Sequence, residues 1–165
     1  MRKMMIALAG IVSVMMLASC QKEVEIDGDV SLEKTEHWYR MAVEGTASSI
    51  EAEQRADGTY VEKSGATADT LVVNAGGVSW NDSLATNDKN RTEINTWYEG
   101  NTDSDVLYLE GILYESSKTY YFEPRNGEKC EVTVIGNPHD KKFTVSGKYR
   151  RYSEFVRFNL TFTRK

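Results

Sequence analysis

Residues 143–163 alternate apolar and polar side chains through two successive strands, and no other feature constrains the fold of this chain as tightly. Val156, Phe158, Leu160 and Phe162 are separated by Arg157, Asn159 and Thr161. Upstream, Phe143, Val145 and Tyr149 alternate with Thr144, Ser146 and Lys148. Neighbouring side chains on a strand point to opposite faces, so a period of two gathers the apolar groups on one side. A two-residue turn at Tyr152-Ser153 pairs Tyr149 with Val156, Val145 with Leu160 and Phe143 with Phe162. A slip by one residue would turn one apolar set out to water, so this register is the one expected.

The rest of the chain from residue 37 onward carries the same signal. Helical periodicity is missing over any useful length, while short alternating runs and turn pairs recur. Asp57-Gly58 separates residues 50–55 from 59–63, Gly76-Gly77 separates 71–74 from 78–80, and Asn126-Gly127 separates 120–122 from 130–135. Such pairs accept the positive φ of a tight hairpin. Residues 81–90 read as a long polar loop. The expected fold class is therefore all-β, an antiparallel meander of about ten strands. It can close as an up-and-down barrel or stack as a two-sheet β-sandwich.

Trp38, near the start of the first strand, and Arg164, at the end of the last, resemble the lipocalin-like (calycin) pattern, in which these two residue types stack. Glu36 stands where that family has a glycine, two residues before the Trp. The resemblance covers two positions; it ranks the barrel ahead of the sandwich and implies no activity.

The strand expected over residues 106–114 has apolar groups on both faces. Leu107, Leu109 and Leu113 point one way, and Val106, Tyr108, Ile112 and Tyr114 the other. Pairing residues 92–99 with it across the loop 100–105 sets Trp97 beside Tyr108 and Tyr98 beside Leu107. The leucines then share the core with Ile94 and Tyr98. The opposite face gathers Trp97, Tyr108 and Tyr114, with Glu93, Asn95 and Glu110 among them. Aromatic faces rimmed by amides and carboxylates suit sugars, whose C–H faces stack on rings while their hydroxyls meet the polar groups. Equally, such rings can lie under a loop or a second sheet, as strands apolar on both faces commonly do. These six residues are the candidate ligand-binding set.

The first twenty residues address the protein. Arg2 and Lys3 are followed by an uncharged run from Met4 to Cys20, too short to span a bilayer as a helix, which takes roughly 20 apolar residues. That run ends Leu17-Ala18-Ser19-Cys20, which resembles the bacterial lipobox. The resemblance implies that residues 1–19 are a signal peptide and that Cys20 becomes the lipid-bearing first residue of the mature chain. Two or three acyl chains there would hold the protein to a membrane. Gln21-Lys22-Glu23-Val24-Glu25 is similar to the surface-export tag of Bacteroidota lipoproteins, with Val24 interrupting the acidic run. It lacks the Asp after Cys20 that retains enteric lipoproteins in the inner membrane. The expected location is the outer membrane, at the cell surface or on its periplasmic face. Residues 20–30 read as lipidated Cys and tether, and residues 31–165 as a single β-domain. Val24, Ile26, Val30 and Leu32 do alternate around Asp27-Gly28-Asp29, a pattern that could also join a sheet edge.

Removing the leader leaves eighteen cations against twenty-five acids, a net charge of −7. So acidic a chain has no electrostatic footprint for nucleic acid. Lipidation of Cys20 would leave Cys130 alone, with no intramolecular disulfide to form; Cys130 is read as a small apolar residue on the inward face of its strand.

Catalytic patterns are not legible. No Gly-x-Ser-x-Gly elbow or phosphate-binding glycine loop occurs. His139 falls in Gly136-Asn137-Pro138-His139-Asp140, which reads as a solvent-facing hairpin turn. Asn101, Asp103 and Asp105 have the first spacings of a calcium loop, but Val106 replaces its glycine and Ile112 its closing Glu, which favours a hairpin tip. Any two of the twenty-five acids could converge as a glycosidase pair. The expectation is a non-enzymatic protein without metal or cofactor, binding a glycan or a small apolar ligand. The alternative is an accessory or structural subunit of an envelope assembly, its aromatic face meeting another protein.

Overall fold

The computed structural model describes residues 25–26, 30–31, 36–81, 91–100 and 106–165. The leader, Cys20, the 82–90 part of the polar loop and the calcium-like residues Asn101, Asp103 and Asp105 lie outside the described residues. Two short strands, β1 (Glu25–Ile26) and β2 (Val30–Ser31), pair with each other in an antiparallel two-stranded sheet separate from the main one.

Ten further strands make one antiparallel sheet: β3 (Glu36–Gln54), β4 (Tyr60–Glu62), β5 (Asp69–Leu71), β6 (Ala75–Asn81), β7 (Arg91–Trp97), β8 (Glu110–Ser116), β9 (Thr119–Pro124), β10 (Cys130–Ile135), β11 (Lys142–Arg151) and β12 (Glu154–Arg164). Each strand from β6 to β12 pairs with the next, and β12 returns to pair with β3 from Glu154↔Glu51 to Arg164↔Met41. The result is a closed eight-stranded up-and-down barrel, not a sandwich. Closure removes the free edges that an open sheet would expose. β4 and β5 are the two extra strands. Together with β6 they form a broken return path along the 19-residue β3, turning at Asp57-Gly58, where the Asp57 carboxylate accepts from the Thr59 amide and hydroxyl.

The C-terminal hairpin has the register that alternation demanded: Tyr149↔Val156, Val145↔Leu160 and Phe143↔Phe162. All six side chains are buried. The β7–β8 register is also as read, since Asn95↔Glu110 and Glu93↔Ile112 continue into the Thr96 amide bonding the Leu109 carbonyl. Ile94, Leu107, Leu109 and Leu113 are core residues, whereas Tyr98 is only half-buried.

Gly76-Gly77 is not a turn. Both glycines lie inside β6, and residues 72–74 only interrupt the pairing between β5 and β6, which run in the same direction along β3. A Cβ on Gly76 would meet the Asn95 carbonyl oxygen at 2.6 Å and the Val43 side chain at 2.9 Å, so glycine here admits close packing rather than a hairpin. Gly111 and Gly147 likewise face inward, against the rings of Phe122 and Phe158. Small residues opposite large ones fill the barrel axis. Phe122, Phe143, Phe162, Leu160, Val145 and Met41 occupy it, and Leu107 and Leu109 enter from one end.

The two ends differ. At the end where β3 begins and β12 finishes, called proximal below, the Arg164 guanidinium lies 3.6 Å from the centre of the Tyr39 ring. Trp38, the residue expected to make that stack, points outward and is 64 % exposed. Trp80 stacks on His139 with ring centres 4.1 Å apart and on His37 at 4.9 Å. His139 therefore does not face solvent as its turn position suggested. Pro138 is buried and the imidazole folds over the barrel mouth, where its Nε2 lies 2.9 Å from the Thr92 hydroxyl. The opposite, distal end carries the Tyr152-Ser153 turn and the loops that follow β7 and β9.

Candidate functional site

The outer wall of β3, β6, β7 and β8 is built from three rows of outward side chains set by register. One row runs Trp38, Ser79, Glu93, Ile112; the next runs Arg40, Gly77, Asn95, Glu110; the third brings Ala75 beside Trp97. Gly77 stands at the centre, and the two indoles reach it from opposite corners. Where a Gly77 Cβ would be, the Trp38 ring nitrogen is 3.5 Å away and the Trp97 ring edge 3.6 Å.

Those distances are ordinary van der Waals contact, and Gly77 does not have a positive φ. Neither packing nor backbone geometry requires glycine at this position, unlike Gly76 beside it. A glycine in a strand interior weakens the strand, by roughly 0.5–1 kcal/mol relative to Ala. What the missing side chain provides is room for two indoles to approach from opposite corners and bury the backbone between them.

Trp97 is held rather than loose. Its Nε1–H donates to Glu99 Oε1 at 3.2 Å. Glu99 in turn pairs with the Arg40 guanidinium and with Lys165 at 3.6 Å, and Asn74 bonds both its amide and its carbonyl. Trp97 is half-buried by these contacts. Trp38, by contrast, is 64 % exposed. Glu93 lies 3.5 Å from the Ser79 hydroxyl, and Asn95 is exposed between the rows. Beside Trp38 an open cleft of about 510 Å³ runs past Ser79, Glu93 and Ile112 to the barrel mouth at His37 and Trp80.

The six nominated residues thus share the outer face but not one spot. Glu93, Asn95 and Trp97 surround Gly77. Glu110 continues that row and pairs with Arg125 at 2.9 Å. Tyr108 sits in the loop beyond the end of the ladder, 63 % exposed. Tyr114 is remote, stacked on Tyr121 with the Lys129 ammonium 4.6 Å from its ring centre. Sequence reasoning missed Trp38, Gly77 and Arg40. The available signal was parity: inward Met41 and Val43 put even-numbered residues of the strand outside.

Other reactive groups lie elsewhere. The Cys130 thiol, half-buried opposite Phe122, is pushed by burial up to about 11. Tyr149, in the core, is pushed up to about 12 by the same cause. Glu62 is held below the usual carboxylate range by hydrogen bonds from Lys148 and Arg157. Among the described residues, no group of three or more His, Cys, Asp or Glu side chains converges as a metal site would, and no helix is long and apolar enough to cross a membrane. The chain matches no protein-family model, no curated protein and no solved structure.

Proposed function

We propose that this barrel is the ligand-binding domain of a lipid-anchored outer-membrane protein, and that its ligand is a saccharide seated on the outer wall over Gly77. The observation that carries the reading is the pair of indoles on the outer wall, Trp38 64 % exposed and Trp97 half-buried, brought to opposite corners of Gly77, whose lack of a side chain lets both rings lie over the strand. Indole faces offer a sugar's C–H face a stacking surface. Glu93, Asn95 and Arg40 supply carboxylate, amide and guanidinium groups around it for hydroxyls. The interior is filled by aromatic and aliphatic side chains, so binding on the wall fits this barrel better than binding along its axis. The lipobox-like ending at Cys20 and the Gln21-Lys22 tag support the membrane address.

The test separates binding from stability. Gly77→Thr places a strand-favouring side chain between the indoles. On an array of neutral glycans, mature Gly77→Thr protein should lose at least about tenfold in capture, which corresponds to 1.4 kcal/mol. Gly77→Ala, whose Cβ keeps ordinary contact with both rings, is the stability control, and its urea midpoint should stay level or rise. Unchanged capture by both Gly77→Thr and Trp97→Ala would overturn the reading. Their shared failure to hold an envelope protein that the wild type retains would instead favour the accessory-subunit role.

A further inference from the structure

A second aromatic cleft lies at the distal end, and two tyrosines are displayed into it with little packing of their own. Tyr108 is 63 % exposed although Leu107 and Leu109 on either side are fully buried. The Thr96 hydroxyl donates to the Leu107 carbonyl at 3.1 Å and accepts from the Leu109 amide at 2.8 Å. With both neighbours pinned inward, the Tyr108 ring is locked outside. Tyr152 is 75 % exposed and has φ 54°. It is the first residue of the two-residue turn, and Ser153 does not share its positive φ; hairpins of this kind place glycine there. A bulky residue at positive φ is strained. The Arg150 guanidinium, bonded to the Tyr152 carbonyl at 2.8 Å, braces the turn.

Between these tyrosines is an open cleft of about 480 Å³, with Pro124 and Tyr149 beneath. Its charges are internally matched: Glu110 pairs with Arg125 at 2.9 Å and Arg151 with Glu154 at 3.1 Å. Such a cleft favours a neutral ligand with apolar faces over an ion.

The cleft is continuous with the wall. Glu110, which lines the cleft, stands opposite Asn95 of the wall at the end of the β7–β8 ladder, and Tyr108 lies just beyond that last pair. Ile112 shares the row of Trp38, so Tyr108 lies three strand spacings across and four residues along from Trp38, on the order of 20 Å. Resting on the saccharide reading above, we infer that the ligand is a neutral oligosaccharide chain, held first between Trp38 and Trp97 and then between Tyr108 and Tyr152. A single sugar ring fills only one of these places.

The experiment uses the mature full-length protein on an array carrying glucans, xylans, mannans and galactans, each as two-, four- and six-unit chains. Wild-type capture should rise about tenfold from two to six units, the effect of an added ring contact. Tyr108→Ala and Tyr152→Gly should each flatten that rise and leave two-unit capture unchanged, whereas Trp97→Ala removes both. Tyr152→Gly relieves the turn and should raise the urea midpoint, so lost binding there cannot be lost folding. Capture independent of length, or a rise that survives both tyrosine changes, overturns the distal subsite and leaves the wall site standing. Capture that is absent, or indifferent to Trp97→Ala, overturns the wall site and the chain ligand together.

Discussion

Arg164 Nη2 donates to the His139 carbonyl at 3.0 Å while its guanidinium plane covers Tyr39. The last strand is thereby joined to the first and to the β10–β11 turn across the proximal mouth. An aromatic residue near the start of the barrel and an Arg at its end do stack, as the lipocalin-like resemblance implied. The ring belongs to Tyr39, one residue after Trp38, because Met41 and Val43 fix odd-numbered residues inside.

That one-residue shift can be measured. A double-mutant cycle between Tyr39→Ala and Arg164→Ala should give a coupling of about 0.5–2 kcal/mol. Trp38→Ala should move the urea midpoint by no more than about 0.5 kcal/mol. Coupling between Trp38 and Arg164 with none at Tyr39 would show the parity to be reversed.

The C-terminal hairpin makes a sharper stability contrast. Leu160→Ala removes a fully buried side chain and should cost about 2–5 kcal/mol. Thr161→Ala, one residue on, loses only the hydroxyl contact with Thr144 at 2.8 Å, about 1 kcal/mol. Equal losses in denaturant titrations would contradict the register.

Alkaline pH should weaken the fold in two stages. Cys130 moves from 9.0 to about 11 and Tyr149 from 10.0 to about 12 on burial. Below pH 9 both groups are neutral in folded and unfolded chains, so they add no pH dependence there. Above it the unfolded chain gives up these protons first, and stability falls as pH rises toward the folded values. Urea midpoints taken at pH 8, 9.5 and 10.5 should decline, and Cys130→Ala should soften the decline between 9 and 11. The same burial predicts slow alkylation of Cys130 by iodoacetamide at pH 8 until urea unfolds the barrel.

At the other end of the chain, intact-mass analysis of protein isolated from membranes should find an acylated N-terminal Cys20. Cys20→Ser should accumulate with residues 1–19 still attached. An unlipidated mature species starting elsewhere would remove the anchor from the proposal.

Alternation made the β11–β12 hairpin and the β7–β8 register readable, because each pairs a long run of one parity with another and a slip exposes every apolar group at once. Gly76-Gly77 was misread because a turn and a close-packed strand both need glycine, and the choice depends on Val43 and Asn95 from distant strands. At His37-Trp38-Tyr39 three consecutive aromatic rings erase the alternation, so local sequence could not say which ring faces in. Trp38 consequently stayed outside the nominated set, and Tyr114, correct in parity, was grouped with residues two rows away.

The ladder between β3 and β12 joins residue 41 to residue 164. Chain made or delivered from its N-terminus cannot complete the cylinder until residue 164 is available. Until then β3 and β11 both present bare edges, and the phenylalanines of the last strand are missing from the axis. Shortening the chain by its last eleven residues would therefore do more than trim a terminus: it would yield an open, adhesive sheet, and the lost solubility would greatly exceed the loss of one hairpin.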